Sequence, residues 1–336
     1  SSKSPAGAFL SLWARDDSAS KAELDEEGQE IDKTGYIIGR QIGVGGFSVV
    51  KEVFNLENGI RRRRAVKIVR KQVSGKGEDE NEKVQAEFEH EVSIWRYVNH
   101  KYILPLIECF ETPFATFCIT KLNEGGTLFD LIHARRKAGA GGLPSSLAKR
   151  YVYQLASAIR FLHEDVHVVH RDIKIENVLI DMSDPNAACD GGNILLCDFG
   201  MADFVYNEHR LDQEPFDQEM HIGPSHTSTS VTGSLRYAAP ELLESPCQLY
   251  STAVDMWAFG NVVYAMLMAQ LAFNDPFEPR VVMQILNGEW DEAPLYKTNA
   301  VLEEGSTEPV EMVKGCLQKN PEERWTIADV LRSTWL

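Results

Sequence analysis

The sequence predicts an α+β chain in two lobes. A small antiparallel-sheet lobe with one helix covers residues 36–122, and a larger, mainly helical lobe covers 123–336. Three observations carry this reading. Between Tyr36 and Leu122, short β-type apolar runs alternate with glycine and turn residues, interrupted by a single helical pattern. From residue 123 onward helical periodicity dominates. The chain has 336 residues, 43% hydrophobic and 25% charged, which is enough to bury two cores. That balance excludes collagen-like, wholly disordered and membrane-spanning classes.

Each element follows in order. Residues 1–35 are rich in serine, alanine and acids without sustained periodicity, and read as a flexible acidic N-terminal extension. Within it, Phe9 to Trp13 is an apolar knot, either a chance cluster or an anchor that docks on the folded body. The run from Tyr36 to Leu56 gives two strands around a glycine turn, and Arg64 to Val69 a third. Val84, Phe88, Val92 and Trp95 recur at helical spacing and mark an amphipathic helix over 81–98. Ile103 to Thr120 supplies two more strands, and a hinge follows near 121–124. Strong helices cover 145–163 and 253–269. The most apolar stretch, Val262 to Ala269, falls short of the ~20 residues a membrane span needs, and reads as a buried core helix. Turn residues dominate 182–193, which reads as a surface hairpin loop.

Charge and cysteines narrow the partners. There are 34 basic and 50 acidic residues, a net charge of −16. A field of that sign repels phosphate backbones, which argues against a nucleic acid or an anionic membrane as partner. Segments 1–35, 76–91 and 198–241 carry −4, −5 and −6 of the total, so the acidity is localised rather than a uniform coat. The six cysteines, Cys109, Cys118, Cys189, Cys197, Cys247 and Cys316, form no C-x-x-C pair and have no zinc-site spacing. They read as thiols of a reducing compartment, cytoplasm or nucleus.

Four motifs carry chemistry. Gly43-Val44-Gly45-Gly46-Phe47-Ser48-Val49-Val50 sets glycines between two strands, where backbone N–H groups can approach phosphate oxygens. Taken alone it fits a plain hairpin turn equally well. No Gly-Lys-Ser/Thr follows, so it is not a P-loop, and a strand follows it rather than the helix of a dinucleotide site. In Ala65-Val66-Lys67 a lysine sits inside an apolar strand, costly to bury unless paired. Glu91, between inward-facing helix positions, is the best-placed acid, either to orient Lys67 on a phosphate or to form a structural ion pair. His170 to Asn177 (HRDIKIEN) and Asp198-Phe199-Gly200 set two carboxylates and an amide among apolar flanks. Oxygen donors of that kind suit Mg²⁺, and a carboxylate off the metal can accept a hydroxyl proton.

Taken in order, these motifs resemble those of eukaryotic protein kinases over residues 36–336. The set continues through Ala239-Pro240-Glu241, the run Asp255 to Gly260 (DMWAFG), Asn320 to Arg324 (NPEER) and Trp335. The resemblance implies the two-lobed protein kinase fold, its helix in the small lobe being regulatory. It implies transfer of the γ-phosphate of ATP, with Mg²⁺, to serine or threonine hydroxyls of protein substrates in signalling. Gly43, Gly45, Gly46, Ser48, Val50 and Ala65 fall at nucleotide-binding positions. Lys67 would hold the α- and β-phosphates and pair with Glu91. Thr120 would guard the back of the nucleotide pocket, and Lys121 to Asn123 would receive adenine. Asp172 would be the catalytic base, Lys174 would stabilise the transferring phosphate, and Asn177 with Asp198 would hold Mg²⁺. Lys174, two residues after Asp172, resembles the serine/threonine class, and Ser234 matches the hydroxyl that meets Asp172 and Lys174 there. Glu241 would pair with Arg324 in a structural role. HRDIKIEN, GSLRYAAPE and DMWAFG are most similar to the calcium/calmodulin-dependent and AMP-activated kinase branch, its fungal members included.

Several positions depart from the pattern. Ser48 replaces the third glycine of the loop and stiffens it. Trp95, four residues after Glu91, stands where Leu or Met is usual and should lie near Phe199, either for core packing or to affect the helix. Arg171 and the hydroxyls near Ser230 imply an upstream activating kinase, yet Asp203 stands where a second basic partner is usual and would repel a phosphate. Glu176 is placed to meet a basic side chain upstream of the acceptor, while Thr127 stands where relatives selecting arginine carry an acid. The run Arg61 to Arg64 reads as a solvated hairpin face. The expected partners are thus protein substrates with basic upstream residues, with no nucleic acid and no membrane span, on a monomeric enzyme. A pseudokinase would lack Lys67, Asp172 or Asp198, and a small-molecule phosphotransferase would lack Ala239-Pro240-Glu241; all are present.

Overall fold

A computed structural model describes residues 25–72, 77–205, 235–244 and 251–336. The described residues before 76, with Glu108–Leu122, form one compact unit. Those of 76–107 and Asn123–Leu336 form the other. Ser230, Ser234, Cys247 and the Phe9 to Trp13 knot lie outside the described residues.

The first unit is built on a five-stranded sheet in the order β1-β2-β3-β5-β4. The strands are β1 (Ile37–Val44), β2 (Ser48–Glu57), β3 (Ile60–Arg70), β4 (Leu106–Glu111) and β5 (Ala115–Lys121). Strand β3 starts four residues before the apolar run that signals it. The two-residue turn Asn58-Gly59, with both φ angles positive (53° and 78°), closes a tight β2–β3 hairpin from Glu57 to Ile60. Ile38, Val53, Val66, Ile68, Ala115, Phe117 and Ile119 bury one sheet face, with Phe110 and Phe114 packed against them. The arginine run sits on the hairpin as expected, with Arg61 stacked 3.7 Å over Phe54 and Arg63 paired with Glu52.

The expected extension to residue 35 needs correction at its end. Asp25 to Gly35 fold back on β1: Gly28 N–H donates to Ile38 O and Ile38 N–H to Gln29 O, both at 2.8 Å. Ile31 and Tyr36 join the core, and Asp25 is fully buried. Arg70 Nη2 donates to Asp25 Oδ1 at 2.9 Å, and Lys51 Nζ reaches the Asp25 carbonyl. One apolar residue among acids carries no periodic signal, so this packing was hidden from a pattern reading.

The second unit begins with α1 (Glu78–Tyr97), which buries Val84, Phe88, Glu91, Val92, Ile94 and Trp95. The further helices are α2 (Leu128–Lys137), α3 (Ser145–Arg160), α4 (Ala187–Asp190), α5 (Pro240–Glu244), α6 (Ala253–Met268), α7 (Glu278–Asn287), α8 (Asn299–Glu304), α9 (Glu308–Cys316) and α10 (Ile327–Arg332). Two short ribbons, β6 (Val168–Val169) with β9 (Asp203–Phe204) and β7 (Val178–Asp181) with β8 (Asn193–Leu196), lie among them. Helix α6 is the buried core helix the sequence predicts: Val254 to Leu267 are all buried, so it is enclosed on every side, with Asp255 and Asn261 the polar residues among them. Among the described residues no helix is long and apolar enough to cross a membrane. Residues 182–193 hold a short helix, α4, where a plain hairpin loop was expected. Asn186 N–H donates to Asp184 Oδ1, and Gly191 takes the left-handed φ of 92° that ends the turn.

One ion pair ties α5 to the core. Arg324 Nη1 and Nη2 meet the two Glu241 oxygens at 2.7 and 3.0 Å. Its remaining donors go to the carbonyls of Gln318, Ala253 and Lys319, so all five guanidinium N–H groups are used in a side chain with no exposed surface. This bears out the structural pairing expected of Glu241 and Arg324. Arg324→Ala should therefore cost about 3–5 kcal/mol in urea unfolding, and Arg324→Lys should fail to restore it for want of the planar fork. A loss below about 1 kcal/mol would contradict the assignment.

Candidate active site

Strand parity sorts the first unit's candidates. Opposite residues in antiparallel strands share a face, and alternate residues of one strand return to it. The register pairs Gly43 with Val50, Val50 with Lys67, and Ala65 with Thr120. Ser48, Val50, Ala65, Lys67 and Thr120 thus lie on one face, opposite the closed core. Thr120 and Ala65 are buried. Lys121 follows Thr120 onto the other face, so its side chain is not on the face of the candidate set. The glycine loop is a hairpin turn closed by Gly45 N–H to Ser48 O at 2.7 Å.

The second unit holds the rest. Asn123 Nδ2 donates to Gly126 O at 3.1 Å, and Gly125 packs so close to Ile180 that a Cβ would fall 2.1 Å from its carbonyl oxygen. Thr127 caps α2: its hydroxyl accepts from Asp130 N–H while Asp130 accepts from Thr127 N–H.

The loop from His170 to Asn177 is knotted around Asp172. Lys174 Nζ donates to Asp172 Oδ2 at 2.7 Å and Oδ1 at 3.0 Å. Asn177 Nδ2 donates to the Asp172 carbonyl at 2.8 Å and to Oδ2 at 2.9 Å. Asp172, Lys174 and Asn177 are therefore brought together as the sequence predicts. His170 Nδ1 accepts from Asp172 N–H at 3.3 Å and its Nε2 lies 3.3 Å from Cys197 O, which assigns the ring proton to Nε2.

The anchor of this loop is Asp255, a carboxylate in the buried helix α6. It accepts from His170 N–H and Arg171 N–H, both at 2.8 Å, and lies 2.9 Å from His163 Nε2. Burial opposes its charge, but the hydrogen bonds from His163 and the His170 N–H outweigh it and hold the carboxyl below the usual range. Arg171 adopts a φ of 63°, a conformation that costs a side-chain-bearing residue about 1–3 kcal/mol. The two bonds to Asp255 hold it there. The sequence reading missed Asp255 as a functional group and used it only as part of a motif. The usable signal was an acid inside an otherwise apolar helix, the same test already applied to Lys67.

Asp198 also has a left-handed φ, 70°. Its Oδ1 and Glu91 Oε2 flank Gly200, 3.4 and 3.5 Å from where a Cβ would stand. Phe199 is fully buried, with the His170 ring 5.1 Å away and Trp95 at 6.4 Å, within range for tilted aromatic contact. Trp95 thus lies near Phe199 as expected, and its Nε1 donates to Leu104 O at 2.8 Å.

Asp203 is flanked by His90 and Arg171. His90 Nε2 lies 3.5 Å from Oδ1 and Arg171 Nη2 3.9 Å from Oδ2, while Arg171 Nε donates to Met201 O. The Asp203 carboxylate raises the His90 pKa above its ordinary value, and His90 with Arg171 lowers that of Asp203 against the cost of burial. Glu176 accepts from Tyr237 OH at 3.3 Å; burial, then the Glu176 charge, pushes the Tyr237 phenol well up.

The protein kinase domain model matches residues 36–336. The calcium/calmodulin-dependent protein kinase type I of Schizosaccharomyces pombe is 30% identical over 95% of this chain and 83% of its own length. Mouse serine/threonine-protein kinase DCLK1 is 33% identical over 94% of this chain, which spans only 36% of that longer protein. Human testis-specific serine/threonine-protein kinase 3 is 34% identical over 76% of this chain and 81% of its own length. These relatives fit the calcium/calmodulin-dependent branch to which the motifs pointed. With the ordered motifs and both units in place, the chain belongs to the protein kinase family, as an ATP-dependent serine/threonine protein kinase.

Proposed function

We propose that the phosphoryl transfer runs through Asp172, Lys174, Asn177 and Asp198, with Lys67 on the α- and β-phosphates and Glu91 as its orienting acid. The Asp172–Lys174 contact of 2.7 Å carries this reading, because it sets a proton acceptor and a cation side by side. Asp172 orients the substrate hydroxyl and takes its proton, and Lys174 offsets charge on the transferring group. Ser234 is assigned to the same pair by its sequence position. Gly43, Gly45, Gly46, Ser48, Val50, Ala65, Thr120, Lys121 and Asn123 are assigned to the nucleotide.

The residues fit Mg²⁺. Asn177 commits its amide nitrogen to Asp172, which leaves the amide oxygen as the donor for a hard cation, and Asp198 supplies a carboxylate. Among the described residues no cluster of three His, Cys, Asp or Glu is poised for a metal. When bound, Mg²⁺ would neutralise phosphate charge.

The substrates we infer are Ser/Thr-containing proteins with basic residues upstream of the acceptor, met by the exposed Glu176. The setting is signalling in the cytoplasm or nucleus, with the enzyme a monomer. An upstream kinase acting near Ser230 would add a phosphate that competes with Asp203 for Arg171, so activation is an exchange of partners at that arginine.

The direct test is transfer of label from radiolabelled ATP to a generic protein substrate. Asp172→Asn should lower kcat by about 10²–10⁴-fold with the KM for ATP little changed, and Asp198→Ala should abolish transfer. Retained turnover in either variant would remove that residue from the mechanism. The His90–Asp203 pair predicts a pH dependence of stability. Folding raises the His90 pKa, so the pair's contribution is full below the unfolded histidine pKa and is lost as pH rises through the folded value. Asp203, with its lowered pKa, stays ionised across that window. The stability difference between the natural protein and His90→Gln should be largest below the unfolded histidine pKa and shrink as pH rises above it in urea unfolding. A pH-independent difference would contradict the pairing.

A further inference from the structure

The sulfurs of Cys109 on β4 and Cys118 on β5 lie 3.6 Å apart. Both are thiols; Cys118 is buried and Cys109 half-buried. Their placement follows from the hairpin. Thr112 N–H donates to Ala115 O at 2.9 Å and closes the turn. Counting outward from that hydrogen-bonded pair sets Cys109 directly across from Cys118, at a non-hydrogen-bonded site. There opposed Cα atoms stand about 4.5 Å apart and side chains approach most closely. That spacing falls at the near end of the range a disulfide bridges, and the sulfurs need to close to about 2.05 Å.

The pair is also tied to the candidate nucleotide face. The register runs Gly43, Val50, Lys67, Cys118 in one transverse row across four strands, and Cys109 completes it on the fifth. Cys118 is thus the cross-strand neighbour of Lys67, on the same face.

We propose that Cys109 and Cys118 form a redox-active dithiol that closes to a disulfide and, when closed, weakens the hold of Lys67 on nucleotide. The second half rests on the reading of Lys67 as a phosphate ligand. The oxidant is a small-molecule disulfide such as oxidised glutathione. The half-exposed Cys109, as thiolate, attacks one sulfur of that disulfide; its S–S bond breaks and one thiolate leaves. Cys118 then gives up its proton and attacks Cys109 sulfur, forming the Cys109–Cys118 bond and expelling the second thiolate. Two protein thiols are oxidised and one small disulfide is reduced to two thiols. With the Cα atoms already at the near end of the range a disulfide bridges, the sulfurs close by turning their side chains and spreading β4 from β5 toward the commoner spacing at the row that carries Lys67, and displacements of about 1 Å at a positioning group are costly to binding geometry.

The test uses the whole chain, first reduced and then exposed to oxidised glutathione. Peptide mass mapping should find Cys109 linked to Cys118, whereas exposed Cys189 should retain a glutathione adduct. Affinity for a fluorescent ATP analogue should fall about tenfold and return with dithiothreitol. Cys109→Ser should bind the analogue normally and be insensitive to glutathione disulfide. The proposal is overturned if both sulfurs stay thiols, or stop at glutathione adducts, while Cys189 is fully modified. It is equally overturned if the bridge forms and affinity does not change. Lys67→Met tests the underlying reading separately: unchanged affinity in that variant would remove Lys67 from the nucleotide site, while the mass map still decides whether the bridge forms.

Discussion

The arrangement of the loop from His170 to Asn177 depends on one buried carboxylate. Asp255 lies within an apolar helix that is buried on every side, and its two oxygens are taken by the backbone N–H groups of His170 and Arg171 and by His163. An unpaired charge at that depth would be prohibitive, so the helix and the loop require each other. The loop supplies the donors that make the buried acid tolerable. The acid supplies the acceptors that hold Arg171 in a left-handed turn it would otherwise leave.

Consequences run outward from that turn. With Arg171 reversed, Asp172 follows in a position where Lys174 and Asn177 both reach it. His170 presents its ring to Phe199, which packs toward Trp95 of α1. Arg171 itself is directed toward Asp203 and Met201, and Asp203 also meets His90, the residue before Glu91. A single helix-borne acid thus sets Asp172 with Lys174 and Asn177 on one side and a charged cluster touching α1 on the other.

Much of this was legible in the sequence, for identifiable reasons. Strands and helices whose apolar residues repeat at period two or 3.6 announce themselves, and the α1 face of Val84, Phe88, Val92 and Trp95 is an example. The candidate site was legible in two steps: polar residues in apolar flanks marked the positions, and the ordered motifs, through their resemblance to protein kinases, implied the role of each. Three things were less visible. The packing of Asp25 to Gly35 depends on one buried apolar residue and on ion pairs to Lys51 and Arg70 far along the chain, which leave no periodicity. Asp203 read as a source of repulsion because its partners, His90 and Arg171, are distant in sequence. The Cys109–Cys118 contact exists only through strand register, and spacing alone makes them two unrelated thiols.

Asp255 holds the His170–Arg171 backbone in the turn that brings Asp172, Lys174 and Asn177 together. That hold is tested most directly by hydrogen exchange at those two amides in Asp255→Asn, alongside turnover and a thermal melt that verifies folding. The account predicts that the variant stays folded, that both amides lose protection, and that kcat falls with little change in the KM for ATP. Unchanged protection of the His170 and Arg171 amides, with turnover near that of the natural protein, would contradict it.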